Sequence, residues 1–487
     1  MTTELYLRAK ELALLFTAWP SVTGSVDEAA LPEKMVGLLN RFDRAWTAPI
    51  AGDAAGRSNV FALKRGRSDR AVVLTGHFDV VSIDDYGPLK PLAFSPQALL
   101  AASIARLKSS GENPQALADF ESGDFLPGRG LLDMKAGLAA GIAAIEAYAG
   151  DLTLLFIGVS DEEEKSAGAR AAVPQLKHLA TKLGLQIELV INLDAISDQG
   201  DGSKGRVVTY GSIGKQLLTA FVVGKQTHAG YPQDGVNAAY VMAELVREIE
   251  LSAALSEATN DEVAAPPSTL FSKDLKQGYN VTTPAMAFSY WNTMQHRRSS
   301  AEVLDIAMTL AMQAIARAEA KTGQKIALTT FADFGTAYHG PLDPMLSLPD
   351  QTLQTMIEMT QAIDRPTVVM GFGSIPYAAV LLRDQALRQC ISAAVRPYGL
   401  GEVNYFAGIS DMSFFGEASG DHSVVAANTP IWDKGFVMPE PGGYPCINIG
   451  PWGRDYHHWL ERLHVPYAFE VLPRVLLSVI EAVAKKS

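Results

Sequence analysis

His77 and Asp79 lie two residues apart at the end of the apolar run "AVVLTGHFDVVS". Side chains at i and i+2 of an extended segment share a face, so this imidazole and this carboxylate point into the same space. Such a pair can hold a divalent cation, or it can simply satisfy itself inside a fold. Other stretches end in similar groups. "LTLLFIGVSDEEE" closes on Asp161, Glu162, Glu163 and Glu164, "ELVINLD" closes on Asp194, and "GRDYHHWLERL" supplies His457 and His458. In "GRGLLDMKAG", Gly128 and Gly130 allow a tight turn and Asp133 immediately precedes a helix pattern.

Each piece has an ordinary structural explanation. Asp133 is placed as a helix N-cap. Glu162 to Glu164 can be a solvated acidic turn, Asp194 a loop residue, and the two histidines surface groups beside Trp459. Together they are harder to dismiss. Carboxylates gathered at strand ends repel one another and are costly to desolvate unless a cation neutralises them. Imidazole and carboxylate donors in one set suit zinc, manganese or cobalt better than calcium.

What must position these groups is a sheet. Short apolar strand patterns alternate with helix patterns: "AVVLTGHF", "MKAGLAAGIAAIEAYAG", "DLTLLFIGVS", "AGARAAVPQLKHLATKL", "IELVINLD". That alternation predicts an α/β fold with a mostly parallel sheet covered by helices, whose ligand crevice lies beyond the carboxyl ends of the strands. From about Lys215 the texture changes. Strand and helix patterns there fit a smaller α+β unit of β-α-β-β-α-β order, provided a short strand lies near residues 276–282. The expected layout is a catalytic domain over residues 1–211 and 336–487, interrupted by an inserted lid or dimerisation domain over 212–335.

The 487 residues are 48% hydrophobic and 19% charged, the balance of a soluble globular chain. Forty-one basic against 53 acidic residues leave a net charge of −12, which argues against general affinity for nucleic acid or anionic membrane. No apolar window reaches the ~18 residues of a membrane span. The N-terminal stretch lacks the basic start and unbroken apolar core of a signal peptide. Two cysteines, Cys390 and Cys446, form no metal motif or disulfide framework. The expectation is a cytoplasmic protein. "TVVMGFGSIP" offers a G-x-G after a strand pattern, but Pro376 replaces the third glycine of a dinucleotide fingerprint.

The segments "TGHFDVVS", "GRGLLDMKAGLAA", "SDEEEKSAGAR", "THAGYPQDGVNA" and "HHWLE" resemble, in order, the successive motifs of the M20 metallopeptidase family. Within it, "CINIGPWGRDYHHWLERL" and "GISDMSFFG" look most like the RocB-type proteins of arginine utilisation. The resemblance implies a dinuclear metallohydrolase acting on an amide bond of a small peptide or N-acyl amino acid. It implies two divalent ions, most simply zinc. His77 and Asp194 would hold one, Glu163 and His457 the other, and Asp133 would bridge both. His457 rather than His458 fits the pattern because Glu461 follows it by four. Asp79 would accept a hydrogen bond from the second nitrogen of His77, and Glu162 would be the general base. His228 would reach the substrate carbonyl from the other subunit of a homodimer, while Asn280 and Asn292 would contact substrate. The chain departs from the family at Met294, where many members carry a carboxylate-gripping arginine. It departs again in the long stretch between Asp79 and Asp133. A lone Asp411 in "GISDMSFFGEASGD" is either a turn residue or a cleft lining. The alternative to an enzyme is a metal-binding regulatory protein of the same fold.

Overall fold

The computed structural model describes residues 2–259, 262–334, 340–406, 408–417 and 422–486. The chain divides into two units: Met1–Ser212 with Val380–Ala418 and Pro439–Ser487, and Ile213–Ala379 with Ser419–Met438.

In the first unit the apolar runs become β1 (Arg44–Pro49), β2 (Ser58–Lys64), β3 (Arg70–His77), β4 (Thr153–Val159) and β5 (Gln186–Asn192). The sheet order is β1-β2-β4-β3-β5, continued by Cys446–Asn448, Val207–Thr209 and Gly401–Val403. β4, β3, β5 and Cys446–Asn448 run parallel, whereas β1–β2 and β2–β4 pair antiparallel. Every residue of β4, and every residue of β3 after Arg70, is buried. Strands covered on both faces must be apolar throughout, which is why these runs do not alternate.

One cover is α1 (Thr2–Ala18), packed on α2 (Ala136–Ala147), which also packs against Leu472–Lys485. α2 is buried from Ala136 to Ile145. Its alanines and glycines let it lie close to its neighbours: a Cβ on Gly137 would strike the Leu193 carbonyl oxygen in the loop after β5. Burial of Leu138, Ile142 and Ile145 contributes roughly 1.5–3 kcal/mol each. α3 (Ala167–Leu183) follows β4.

The second unit carries β6 (Gly214–Val223), β7 (Ser268–Asp274), β8 (Met286–Gln295), β9 (Ala327–Thr330) and β10 (Thr367–Phe372), in the order β7-β8-β6-β10-β9. All neighbours are antiparallel except β9 and β10. α4 (Ala238–Ile249) and α5 (Ser300–Thr322) pack on each other, α4 also against β6 and β8, α5 also against β10.

Two sequence expectations need correction here. The short strand lies at Ser268–Asp274 rather than near 276–282, where the chain turns through Gly278 at a φ of +66°. The insertion also runs past 335, a residue outside the described ones. Its "TVVMGF" segment, whose glycines suggested a nucleotide loop, is β10, hydrogen-bonded between β6 and β9 and so part of this second sheet. Among the described residues no helix is long and apolar enough to cross a membrane.

Candidate metal centre

The carboxyl end of β3 delivers His77, the loop after β4 delivers Glu162 and Glu163, and the loop after β5 delivers Asp194. Asp133 comes from the turn before α2. It does not cap that helix. Leu131–Lys135 is one irregular turn in which Asp133 is extended (φ −112°, ψ 95°) and makes no capping bond. His457 lies between Trp452–Arg454 and Arg462–His464, in the left-handed region at φ 62°. That conformation is costly for a residue with a Cβ and persists only where the surroundings enforce it.

These five side chains converge. His77 Nε2 lies 3.2 Å from Asp133 Oδ1 and 3.8 Å from Asp194 Oδ1. His457 Nε2 lies 3.2 Å from Asp133 Oδ2 and 3.2 Å from Glu163 Oε1. Each oxygen of Asp133 therefore faces a different imidazole, the arrangement a bridging carboxylate needs. Ligand atoms of His77, Asp133 and Glu163 all lie within 4.8 Å of one another. Glu162 Oε2 is 4.0 Å from His77 Nε2. His458 faces elsewhere, its Nδ1 accepting the Leu460 N–H at 3.2 Å.

Asp79 does something other than expected. His77 Nδ1 donates to the Asp79 backbone carbonyl at 3.0 Å, while the Asp79 carboxylate stands 3.7 Å away. A carbonyl oxygen can only accept, so Nδ1 carries the proton and the Nε2 lone pair is left for a cation. The carboxylate instead accepts the N–H groups of Glu162 (3.1 Å) and Glu163 (3.3 Å) and the Thr23 hydroxyl (2.9 Å). It holds the acidic loop, not the imidazole.

The acidic run divides by role. Asp161, at φ 63°, turns its carboxylate to Arg57 (2.5 Å) and to the Ala167 N–H. Burial pushes its pKa up to about 6 despite that guanidinium. Glu164 is exposed. Asp194 is held through its backbone by Asn448, which accepts its N–H and donates to its carbonyl, both at 2.9 Å.

Burial sets the electrostatics. It raises the pKa of Glu162 well above the ordinary range, reinforced by Asp411, Glu163 and Asp194, and raises those of Glu163 and Asp194. For both histidines burial opposes protonation, but bonds to the carboxylates outweigh it. His77 is pushed well up, and His457 to about 10. Without a cation, protons must neutralise this cluster. That need, with a two-imidazole, three-carboxylate donor set, fits zinc, manganese or cobalt.

Sequence reasoning missed three supports. Glu461 accepts from Arg129 (2.8 Å) and from the Leu132 N–H (3.3 Å), tying the His457 segment to the Asp133 turn. Asp119, in the added stretch between Asp79 and Asp133, accepts from Arg454 (2.6 Å) and Arg462 (2.7 Å) on both sides of His457. Arg106 of the same stretch lies over the Trp459 ring at 4.1 Å. The insertion buttresses the loop that carries His457. Asp411 is fully buried with both carboxylate oxygens enclosed, and burial pushes it up to about 7, close enough to His77, Asp79 and Asp194 to feel their charges. The sequence offered Asp411 only as a turn residue or cleft lining and Glu461 only as a spacing mark for His457; nothing in it marked Asp119 or Arg106, because those roles depend on residues far apart in the chain.

His228, Asn280 and Asn292 belong to the second unit. His228 is exposed, with its Nδ1 accepting the Gly230 N–H at 3.0 Å, and it pairs by a β-bridge with Thr282 beside Asn280. Asn292 sits within β8, opposite Leu217.

Residues 108–430 match the model of peptidase family M20/M25/M40. The chain is 32% identical to the protein YqjN of Bacillus subtilis (strain 168), over 98% of this chain and 97% of the relative. It is 25% identical to Protein RocB of the same organism, over 96% and 94%. A tripeptidase structure from Staphylococcus aureus superposes with a TM-score of 0.58 at 16% identity, covering 99% of each chain. With the family's fold and a converged donor set, the chain belongs to the M20/M25/M40 peptidase family.

Proposed function

We propose that the protein is a dinuclear metallohydrolase that cleaves an amide bond in a small peptide-like or N-acyl amino acid substrate. The observation that carries this reading is the Asp133 carboxylate, each of whose oxygens faces an imidazole 3.2 Å away. His77 and Asp194 would hold one ion, Glu163 and His457 the other, and Asp133 both. Two bound divalent ions supply Lewis acidity that lowers the pKa of a water and polarises a carbonyl. Glu162, beside the ligand Glu163 but turned toward His77, takes the proton from the attacking water and returns it to the leaving amine. Asp79 keeps Glu162 and Glu163 in place through their backbone. Family membership and the relative named RocB support a hydrolase that serves arginine utilisation.

His228 stabilises the developing oxyanion from the partner subunit of a homodimer. Asn280 and Asn292 contact the substrate. A fully active monomer in solution would overturn the first of these roles.

The test is metal analysis followed by a hydrolysis screen on N-acyl amino acids and di- and tripeptides, with wild type and Glu162→Gln. Wild type is expected to take up two ions per chain and hydrolyse some members. Glu162→Gln is expected to keep both ions and lose on the order of 10²–10⁴ in rate, the usual worth of a general base. Normal turnover by this variant, or a wild type that binds no zinc, manganese or cobalt, would overturn the reading.

A further inference from the structure

The acidic loop after β4 is fastened from a second direction, by the stretch that joins α1 to the helix Val26–Leu38. This stretch runs beside the continuation of β3. Val22 bridges Val80, the Ser21 hydroxyl donates to the Phe78 carbonyl at 2.6 Å, and the Thr23 hydroxyl donates to the Asp79 carboxylate. The chain then turns into the helix, whose cap Ser25 accepts the Glu28 N–H at 3.1 Å. Glu28 is fully buried. One of its carboxylate oxygens accepts the Gly24 N–H at 2.6 Å, and the other accepts the Asp161 N–H at 3.0 Å.

Three consecutive N–H groups at the head of the acidic loop therefore end on carboxylates. That of Asp161 meets Glu28, and those of Glu162 and Glu163 meet Asp79. Successive N–H groups around a left-handed residue form a concavity that attracts anions, and Asp161 is left-handed at φ 63°. Here the protein fills the concavity with two carboxylates of its own. Arg57 secures the Asp161 side chain. It precedes β2, is 7% exposed, and pairs with acids of three segments: Asp161 at 2.5 Å, Asp53 at 2.6 Å and Glu28 at 3.6 Å. Carboxylates buried side by side need a cation to stay charged, and Arg57 is the one paired with these three among the described residues.

We infer that Glu28 and Arg57 are positioning residues: by fixing the peptide and the side chain of Asp161, they set the direction in which Glu162 and Glu163 leave β4. The reasoning is geometric. A left-handed residue with a Cβ keeps that conformation only where its surroundings enforce it. A change of torsion at Asp161 swings the two residues that follow, and a displacement of about 1 Å at a reacting group can cost on the order of 10²-fold in rate. The inference deepens the reading of Glu162 as the base and rests on it, so one arm of its test needs no catalysis.

Wild type, Glu28→Gln and Arg57→Lys are compared as full chains, well below the melting temperature of each. A glutamine of the same length offers one acceptor oxygen, so the Gly24 and Asp161 N–H groups can no longer both be satisfied. In the first arm, hydrogen exchange of the metal-free proteins is followed by mass spectrometry. Exchange at residues 161–163 should be about tenfold or more faster in Glu28→Gln, with β4 and α3 as in wild type. In the second arm, the zinc-loaded proteins act on whichever N-acyl amino acid or peptide wild type cleaves. Glu28→Gln should keep its bound zinc and its KM while kcat falls about ten- to a hundredfold. Arg57→Lys, which keeps the charge without the fork, should change both readouts less and in the same direction. A Glu28→Gln protein that merely melts earlier, with wild-type exchange and kcat, would reduce both residues to structural supports and sink the inference. Faster exchange with an unchanged kcat would also sink it, because the loop would then be loosened without moving the base. If wild type cleaves nothing, the functional reading fails on its own account, and unaltered exchange at 161–163 would still refute the clamp.

Discussion

The two units treat their polar residues in opposite ways. In the first, ionisable side chains sit at the buried ends of parallel strands, and almost every one is held by a second residue: His77 by the Asp79 carbonyl, Glu162 and Glu163 by the Asp79 carboxylate, the Asp133 turn by Glu461. In the second, His228 and Asn280 are exposed and, among the described residues, their side chains bond only to near neighbours in sequence, while Gln295 and Gln216 are buried with hydrogen-bonding capacity to spare. Preorganised charge is what a metal site needs, because cations must find their ligands already collected against mutual repulsion. Unspent hydrogen-bonding groups and exposed loops are what a ligand-recognising surface needs, because their partner arrives from outside.

The sharpest way to break this contrast is to remove the shared carboxylate. Asp133→Ala is expected to abolish uptake of both ions and reduce hydrolysis to background, read by metal analysis and rate together. Retention of even one tightly held ion would show that Asp133 does not bridge. A smaller effect should follow from the insertion. Asp119→Asn weakens its bonds to Arg454 and Arg462 without touching the donor set, and should lower metal affinity or activity about 10- to 100-fold. An unchanged affinity would reduce the insertion to a cover for the sheet edge.

Proton linkage sharpens the same contrast without mutation. In the metal-free protein, burial works against His457 protonation, but Asp133 and Glu163 hold its pKa at about 10, above the roughly 6.5 of a free imidazole. A raised folded-state value contributes stability that is complete below about 6.5 and is lost as pH rises through about 10. Thermal melts of the chelated protein should therefore fall over that interval, and His457→Gln should flatten the fall. Cation binding needs the neutral imidazole, so uptake near neutral pH should release protons, measurable by calorimetry in buffers of different ionisation heat. The least effect is expected from His458→Ala, whose ring accepts the Leu460 N–H and lies against Trp459; metal content should not change.

Much of the first unit was legible in order and kind. The unbroken runs in β3 and β4 signal strands covered on both faces, and the glycines and alanines of α2 signal a close-packed helix. The candidate donors could be picked out because strand ends are where such residues collect. What stayed hidden was whatever joins distant segments. Asp119 reads as one more acid in a surface helix until Arg454 and Arg462 are seen on it. The hydrogen bond from His77 goes to the carbonyl of Asp79 rather than to its carboxylate, a matter of local geometry that no residue type announces. In the second unit the strand at Ser268–Asp274 and the membership of β10 were missed because antiparallel partners need not be neighbours in sequence.

By itself, then, the amino-acid order settled which residue types stand at which strand ends, and hence the family and the chemistry open to it, since periodicity and motif spacing are local properties. Only the folded chain decided which carboxylate faces which imidazole, which acid merely steadies a loop, and which amides are left wanting a partner. Those outcomes follow from distances of a few ångströms between segments tens to hundreds of residues apart, and packing alone fixes them.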